Sequence, residues 1–196
     1  MMDNPYWKDV YLNKDLPRDA SDFARFVTDT LKGEKLKFIL DLGCGNGRDS
    51  YYLQDFGTVI GVDLATRPPK SYNASFTQTS MDNLNDTPWD LIYMRFSLHS
   101  VPEEIEEKVL DYTMRNAKYI AIEARSASDQ LSGGQDENNV ETSYASKHYR
   151  RYIDKHKLVK KIKDRGFNVV HVSESDTYAK YKDTSPVCVR LIASIT

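Results

Sequence analysis

The stretch Asp41-Leu-Gly-Cys-Gly-Asn-Gly47 decides how this chain is read. Residues 36–42 form an apolar, strand-sized run leading into it, and Tyr52, Leu53 and Phe56 recur at helical spacing behind it until Gly57 offers a stop. A glycine-rich turn between a strand and a helix brings bare backbone and free amides to a ligand at the C-terminal edge of a sheet. The dinucleotide fingerprint needs its third glycine three residues after the second. Here Arg48 stands at that position and the glycines fall at 43, 45 and 47, which weakens a nicotinamide-dinucleotide reading.

Outward from this turn, apolar runs alternate with helix-like stretches, the pattern of an α/β fold. Strands are expected at 58–62, 74–77, 89–94 and 118–123, with a terminal pair at 167–172 and 187–192. A helix between the fourth and fifth strands opens on a capping box, Ser100 with Glu103, with Pro102 suiting its first turn. Its inner face reads as Ile105, Val109 and Tyr112 or Met114, and its glutamates at 103, 104, 106 and 107 as solvated. Residues 126–143 are polar, aperiodic and contain Gly133 and Gly134, the composition of a mobile loop that can act as a lid. A basic helix is expected from about 145 to 165, with Ile153, Val159 and Ile162 inward, Lys157, Lys160, Lys161 and Lys163 solvated, and Gly166 as its stop. Residues 3–31, with Tyr6, Trp7, Tyr11 and a helix from Asp22, read as a cover over the ligand edge of the sheet.

At 196 residues and 40% hydrophobic content, one domain over 1–196 is the expectation. The 27 basic and 29 acidic residues give a charge of -2, so nothing global attracts nucleic acid or an anionic membrane, and anion binding has to be local. No run is long enough to span a bilayer, and residues 1–9 mix charges with aromatics in no leader-like order, which points to the cytoplasm. Cys44 and Cys188 stand far apart, so reduced structural thiols are expected, and neither a disulfide framework nor a metal site.

With Asp41 leading in, the glycine turn resembles the first motif of class I S-adenosylmethionine-dependent methyltransferases, and the resemblance extends over nearly the whole chain. It implies a Rossmann-like, seven-stranded, mostly parallel sheet with helices on both faces and an antiparallel last strand. It also implies S-adenosylmethionine as cofactor, held by Asp41, Gly43, Cys44, Gly45, Asn46 and Arg48. Asp63, ending the second strand, takes the family's ribose-binding role, although a plain strand-end cap would use the same residue. Leu64 then lies beside the adenine, with Met81 against the ring and Asp82 toward its amino group. The stretch Trp89-Asp-Leu-Ile-Tyr-Met-Arg-Phe-Ser-Leu-His99 resembles the family's fourth motif and brings Arg95, Phe96 and Ser97 to the cofactor.

Methyl transfer needs an acceptor aligned behind an already activated methyl group. For a neutral alcohol a base must take the proton, and His99 is the candidate, with a structural histidine as the competing reading. For a phosphate or carboxylate, binding suffices. Residues 147–165 hold nine Lys or Arg against two Asp, and of these His148, Arg150 and Arg151 sit where the lid rejoins the domain. Together with Arg125, and with Trp7, Tyr11 and Arg18 in the N-terminal cover, they are the expected acceptor contacts, while Arg48 or Arg18 meets the cofactor's own carboxylate. The turn GCGNGRDS, Glu123-Ala-Arg125 and the start HYRRYID resemble, more narrowly, small methyltransferases of surface-glycan and phosphoglycan modification. The expectation is O-methylation of a small anionic acceptor. A nucleic-acid methyltransferase and a non-catalytic S-adenosylmethionine-binding protein are the alternatives; the first lacks an Asn/Asp-Pro-Pro-Tyr or Pro-Cys motif.

Overall fold

The computed structural model describes residues 4–13, 15–129, 140–141, 149–180 and 184–195. The chain runs α1 (Asn4–Asn13), α2 (Asp22–Thr30), β1 (Phe38–Leu42), α3 (Arg48–Leu53), β2 (Thr58–Asp63) and β3 (Ala74–Gln78). It continues with β4 (Trp89–Arg95), a 3₁₀ turn at Leu98–Ser100, α4 (Glu103–Asn116) and β5 (Ala117–Arg125). A two-residue ribbon of β6 (Val140–Glu141) and β7 (Arg150–Arg151) precedes α5 (Lys155–Asp164), β8 (Asn168–Ser175) and β9 (Cys188–Ser194).

Neighbouring strand residues face opposite sides, so a strand apolar throughout must be covered on both faces. In β1 and β4, Leu40, Leu42, Ile92 and Met94 turn to one core with Val109 and Leu110 of α4 and Leu158 and Ile162 of α5. Ile39, Leu91 and Tyr93 turn to the other, with Phe23 and Val27 of α2 and Leu53 of α3. The sheet order is β3-β2-β1-β4-β5-β9-β8, and β9 alone runs antiparallel, to both β5 and β8. This is the expected seven-stranded Rossmann-like sheet. Because β1 lies between β2 and β4, the chain order reverses beside it, opening a crevice at the C-terminal ends of these strands.

Four local expectations are corrected. Ser100 is no cap: its Oγ donates to the Phe96 carbonyl at 3.1 Å within the 3₁₀ turn, and Pro102 occupies the N-cap of α4 without a side-chain hydrogen bond. The basic helix starts at Lys155, where Asp154 caps it by accepting from the Lys157 amide at 2.9 Å. Arg150 and Arg151 are extended instead, because pairing with β6 and an Ile153–Ser126 bridge satisfy their backbone before the cap. Of the two inner-face alternatives Tyr112 is buried as expected and Met114 is exposed, and Thr113 takes a further buried place on α4. Last, Glu106 and Lys161 are not solvated surface charges. Glu106 is 2% exposed and receives Arg151 and, at 2.7 Å, Lys161, which also reaches Glu103 and Glu107. The lid expected at 126–143 lies mostly outside the described residues. Among the described residues no helix is long and apolar enough to cross a membrane.

Candidate active site

A cavity of about 1070 Å³ runs along the C-terminal edge of the sheet, in the crevice beside β1. Its floor is the glycine turn. Four of the turn's amides are spent within the protein: Gly43 and Cys44 donate to the Val62 carbonyl at 2.7 and 3.0 Å, Gly45 to Asp63 Oδ2 at 3.0 Å, and Gly47 to the Cys44 carbonyl at 2.9 Å. The expectation of free amides for a ligand is corrected for these four. What the glycines provide is bare surface. A Cβ on Gly43 would lie 2.3 Å from Ser97 Cβ, and one on Gly45, at φ +55°, 2.8 Å from the Tyr11 hydroxyl.

Asp63 closes β2 with both carboxylate oxygens fixed, by the Gly45 amide and by the Ala65 amide at 2.8 Å. Burial raises its pKa, opposed by these amides. Asp41 is fully buried and accepts from Ser50 Oγ at 2.5 Å; burial pushes its pKa up to about 8. Tyr11, from α1, packs its hydroxyl over Gly45, and its own pKa is raised chiefly by burial and then by Asp63. Trp7 stacks on Tyr11 with ring centres 6.0 Å apart, so α1 roofs the cavity with aromatic surface.

The far wall comes from β4 and β5. Arg95 donates from Nε to Glu123 at 2.9 Å and lies 4.4 Å over the Phe96 ring. Phe96 is the one described non-glycine residue with positive φ, at 56°, a conformation that costs free energy and recurs at ligand sites. Ser97 Oγ is buried without a hydrogen-bond partner, as is Arg48 Nε, which approaches Asp49 at 3.5 Å without the angle of a hydrogen bond. Both residues line the cavity, with these two atoms buried behind its surface.

Of the residues expected from the sequence, Asp41, Gly43, Cys44, Gly45, Asn46, Arg48, Asp63, Leu64, Met81, Asp82, Arg95, Phe96 and Ser97 all line this cavity, as do Trp7, Tyr11 and Arg125. Others do not. His99 is 3% exposed and outside the lining, and its Nδ1 accepts from the Arg125 amide at 3.0 Å, so the imidazole holds β5 to the 3₁₀ turn. Arg151 spends its guanidinium on Glu106, the Val101 carbonyl at 2.7 Å and the Leu98 carbonyl at 3.4 Å. Its place under the cavity wall is structural. Arg18 is exposed and Arg150 lies on β7, both outside the lining. His148 lies outside the described residues.

Sequence reasoning missed Asp49, whose Oδ1 accepts from the Ser21 amide at 2.7 Å and whose Oδ2 accepts from Ser21 Oγ at 2.8 Å and Tyr93 Oη at 2.7 Å. Ser21 also caps α2, so one carboxylate ties the N-terminal cover to β4 and to the glycine turn. Its place in the quoted GCGNGRDS run was the available signal. Tyr178, Lys180, Thr184 and Pro186, between β8 and β9, also reach the cavity. That segment is polar and aperiodic, and nothing local marks it as a wall.

A family model described as a methyltransferase domain matches residues 12–172. No curated protein matches the sequence. Among solved structures, the chain is similar to 1,6-didemethyltoxoflavin-N1-methyltransferase of Burkholderia thailandensis, solved with 1,6-didemethyltoxoflavin and S-adenosylhomocysteine. The identity is 16%, covering 89% of this chain and 76% of that one, at a TM-score of 0.70. It is similar to an S-adenosylmethionine-dependent methyltransferase of Clostridium acetobutylicum at 16% identity, 97% of each chain and TM-score 0.63. The [4+2]-cyclase SpnF also matches, at 12% identity over 92% of this chain and 84% of that one, TM-score 0.66. At such identities the likeness concerns fold alone, and the cyclase shows that this fold hosts other reactions.

Proposed function

The chain belongs to the methyltransferase-domain family, and from that premise we propose that it methylates an oxygen of a small anionic acceptor. It is an S-adenosylmethionine-dependent methyltransferase, and the cavity fits that cofactor. The glycine turn offers bare surface, and Arg48 and Ser97, each with a buried polar atom that lacks a hydrogen-bond partner, line the cavity. Asp63 would take the ribose hydroxyls, Leu64 and Met81 would flank the adenine with Asp82 toward its amino group, and Arg48 would meet the carboxylate. Bound there, S-adenosylmethionine supplies a methyl group already activated on a sulfonium sulfur. The protein's part is to align the acceptor and exclude water, and the aromatic roof of α1 serves the second task.

The observation that carries the acceptor reading is the placement of His99. His99 lies outside the lining of the cavity, and its Nδ1 is occupied by the Arg125 amide. An acceptor that arrives as an oxyanion needs no proton removed: a lone pair on its oxygen forms the new O–CH₃ bond and the C–S pair stays on sulfur. Cations suited to hold such an acceptor, Arg95, Arg125 and Lys180, line the cavity. A small-molecule acceptor is further supported by the likeness to the toxoflavin enzyme, whose own transfer is to nitrogen.

The test has two stages. S-adenosylhomocysteine should raise the melting temperature where NAD does not. Labelled S-adenosylmethionine should then pass its methyl group to phosphosugars or sugar acids in preference to amines and thiols. Labelled amines with no labelled acids would overturn the oxyanion reading while leaving the methyltransferase class intact.

A further inference from the structure

The cavity wall holds a cation whose guanidinium is only half engaged. Arg95 gives Nε to Glu123, but its two Nη groups donate to no protein atom among the described residues, although the side chain is 20% exposed. Glu123 is fully buried and gives its other oxygen to Arg190 Nε at 2.6 Å. Arg190 in turn stacks 4.1 Å over the Tyr178 ring and donates to the Tyr178 carbonyl at 3.1 Å. Two guanidinium groups thus share one buried carboxylate.

The nearby charges do not cancel this surplus. Asp49, whose field reaches Arg95, is engaged by Ser21, Tyr93 and Arg48. Asp41 also lies within that field, but burial keeps it protonated below about pH 8. Arg95 and Arg190 thus share Glu123, while Asp49 is already engaged by Arg48. Buried charges need partners, and an unspent pair of Nη donors beside a cavity matches a planar monoanion.

We infer that Arg95 is the acceptor's anion subsite and that it takes a carboxylate, with Tyr178 and Lys180 of the β8–β9 connection forming its outer wall. This rests on the methyl-transfer reading. A carboxylate sets two coplanar oxygens against the two Nη groups; the same fork also holds phosphate, and the test separates the two. Arg48, beside the glycine turn, is left for the cofactor's own carboxylate.

The experiment uses the protein saturated with S-adenosylhomocysteine and three probes at fixed ionic strength: benzoate, its neutral counterpart benzamide, and inorganic phosphate. Binding is read from the shift in melting temperature, and S-adenosylhomocysteine affinity is measured separately by calorimetry. Benzoate should bind about tenfold more tightly than benzamide, and both Arg95→Lys, which keeps the charge, and Arg95→Met should lose about tenfold in benzoate affinity. Both variants should keep the far-UV circular dichroism of the wild type, which shows that they fold, and cofactor-product affinity should fall less than benzoate affinity if Arg95 serves the acceptor and not the cofactor contact that the resemblance implied. Equal binding of benzoate and benzamide, or benzoate binding indifferent to both substitutions, overturns the subsite. Tighter phosphate binding, lost in Arg95→Met, overturns the carboxylate. Loss of S-adenosylhomocysteine affinity with benzoate unchanged reassigns Arg95 to the cofactor and overturns the inference. Failure of S-adenosylhomocysteine to bind the wild-type protein overturns the methyl-transfer reading itself, and this inference with it.

Discussion

Replacing Arg151 with methionine separates a buried brace from an acceptor ligand. The substitution removes a charge from Glu106, whose side chain is 3% exposed, and takes donors from the Val101 and Leu98 carbonyls. Stripping one partner from a buried ion pair costs about 3–5 kcal/mol. Lys161 stays 2.7 Å from Glu106, so the lower end of that range, about 3 kcal/mol, is expected. For a chain of this length that is a fall of about 6–12 °C in melting temperature. Glu106→Gln should cost about 2 kcal/mol, and the double variant should cost less than the two together by about 1–3 kcal/mol, because the second change removes a group already left unpaired. Urea unfolding followed by the fluorescence of buried Trp89 measures all three. A different result would refute the brace: Arg151→Met within about 0.5 kcal/mol of wild type, the scale of an ordinary surface substitution, and no coupling to Glu106. Should that variant instead lower kcat/KM for an acceptor, Arg151 would be a ligand.

Asp63→Ala should weaken S-adenosylhomocysteine binding by about 1.5–3 kcal/mol in calorimetry, and Gly45→Val should be worse, since a Cβ there meets the Tyr11 hydroxyl; unchanged affinity in Asp63→Ala removes it from the site. Asp41 gives a pH dependence. Its carboxyl stays protonated in the folded protein to about pH 8 but ionises near pH 4 when unfolded, so the unfolded state binds fewer protons between those values. Stability should therefore fall as pH rises from about 4 to about 8 and then level off, by at most about 6 kcal/mol at about 1.4 per unit. Unfolding curves of wild type and Asp41→Asn across that range check it, and identical slopes would refute it. His99→Asn, which keeps an acceptor for the Arg125 amide, should leave kcat within a few fold, whereas loss of the roughly 10²–10⁴-fold typical of a general base would restore a catalytic role.

The sequence by itself determined what short-range patterning encodes. Strands apolar on both faces demanded a covered parallel sheet. The glycine spacing at 43, 45 and 47 and an acid ending β2 marked the turn and strand end that line the cavity, since strand, turn and following helix are each set by residues within a few positions. The fate of the charges was decided only by tertiary structure. Glu104 and Glu106 look alike in sequence, yet one is exposed and the other buried, because Arg151 and Lys161 arrive from 45 and 55 residues away. The same holds for His99, drawn inward by the Arg125 amide, and for Tyr178 and Lys180, carried to the cavity by the antiparallel return of β9. Periodicity tells which face of an element is apolar. Which polar group is buried depends on what the sheet order brings opposite it, and a buried charge persists only where that order supplies its partner.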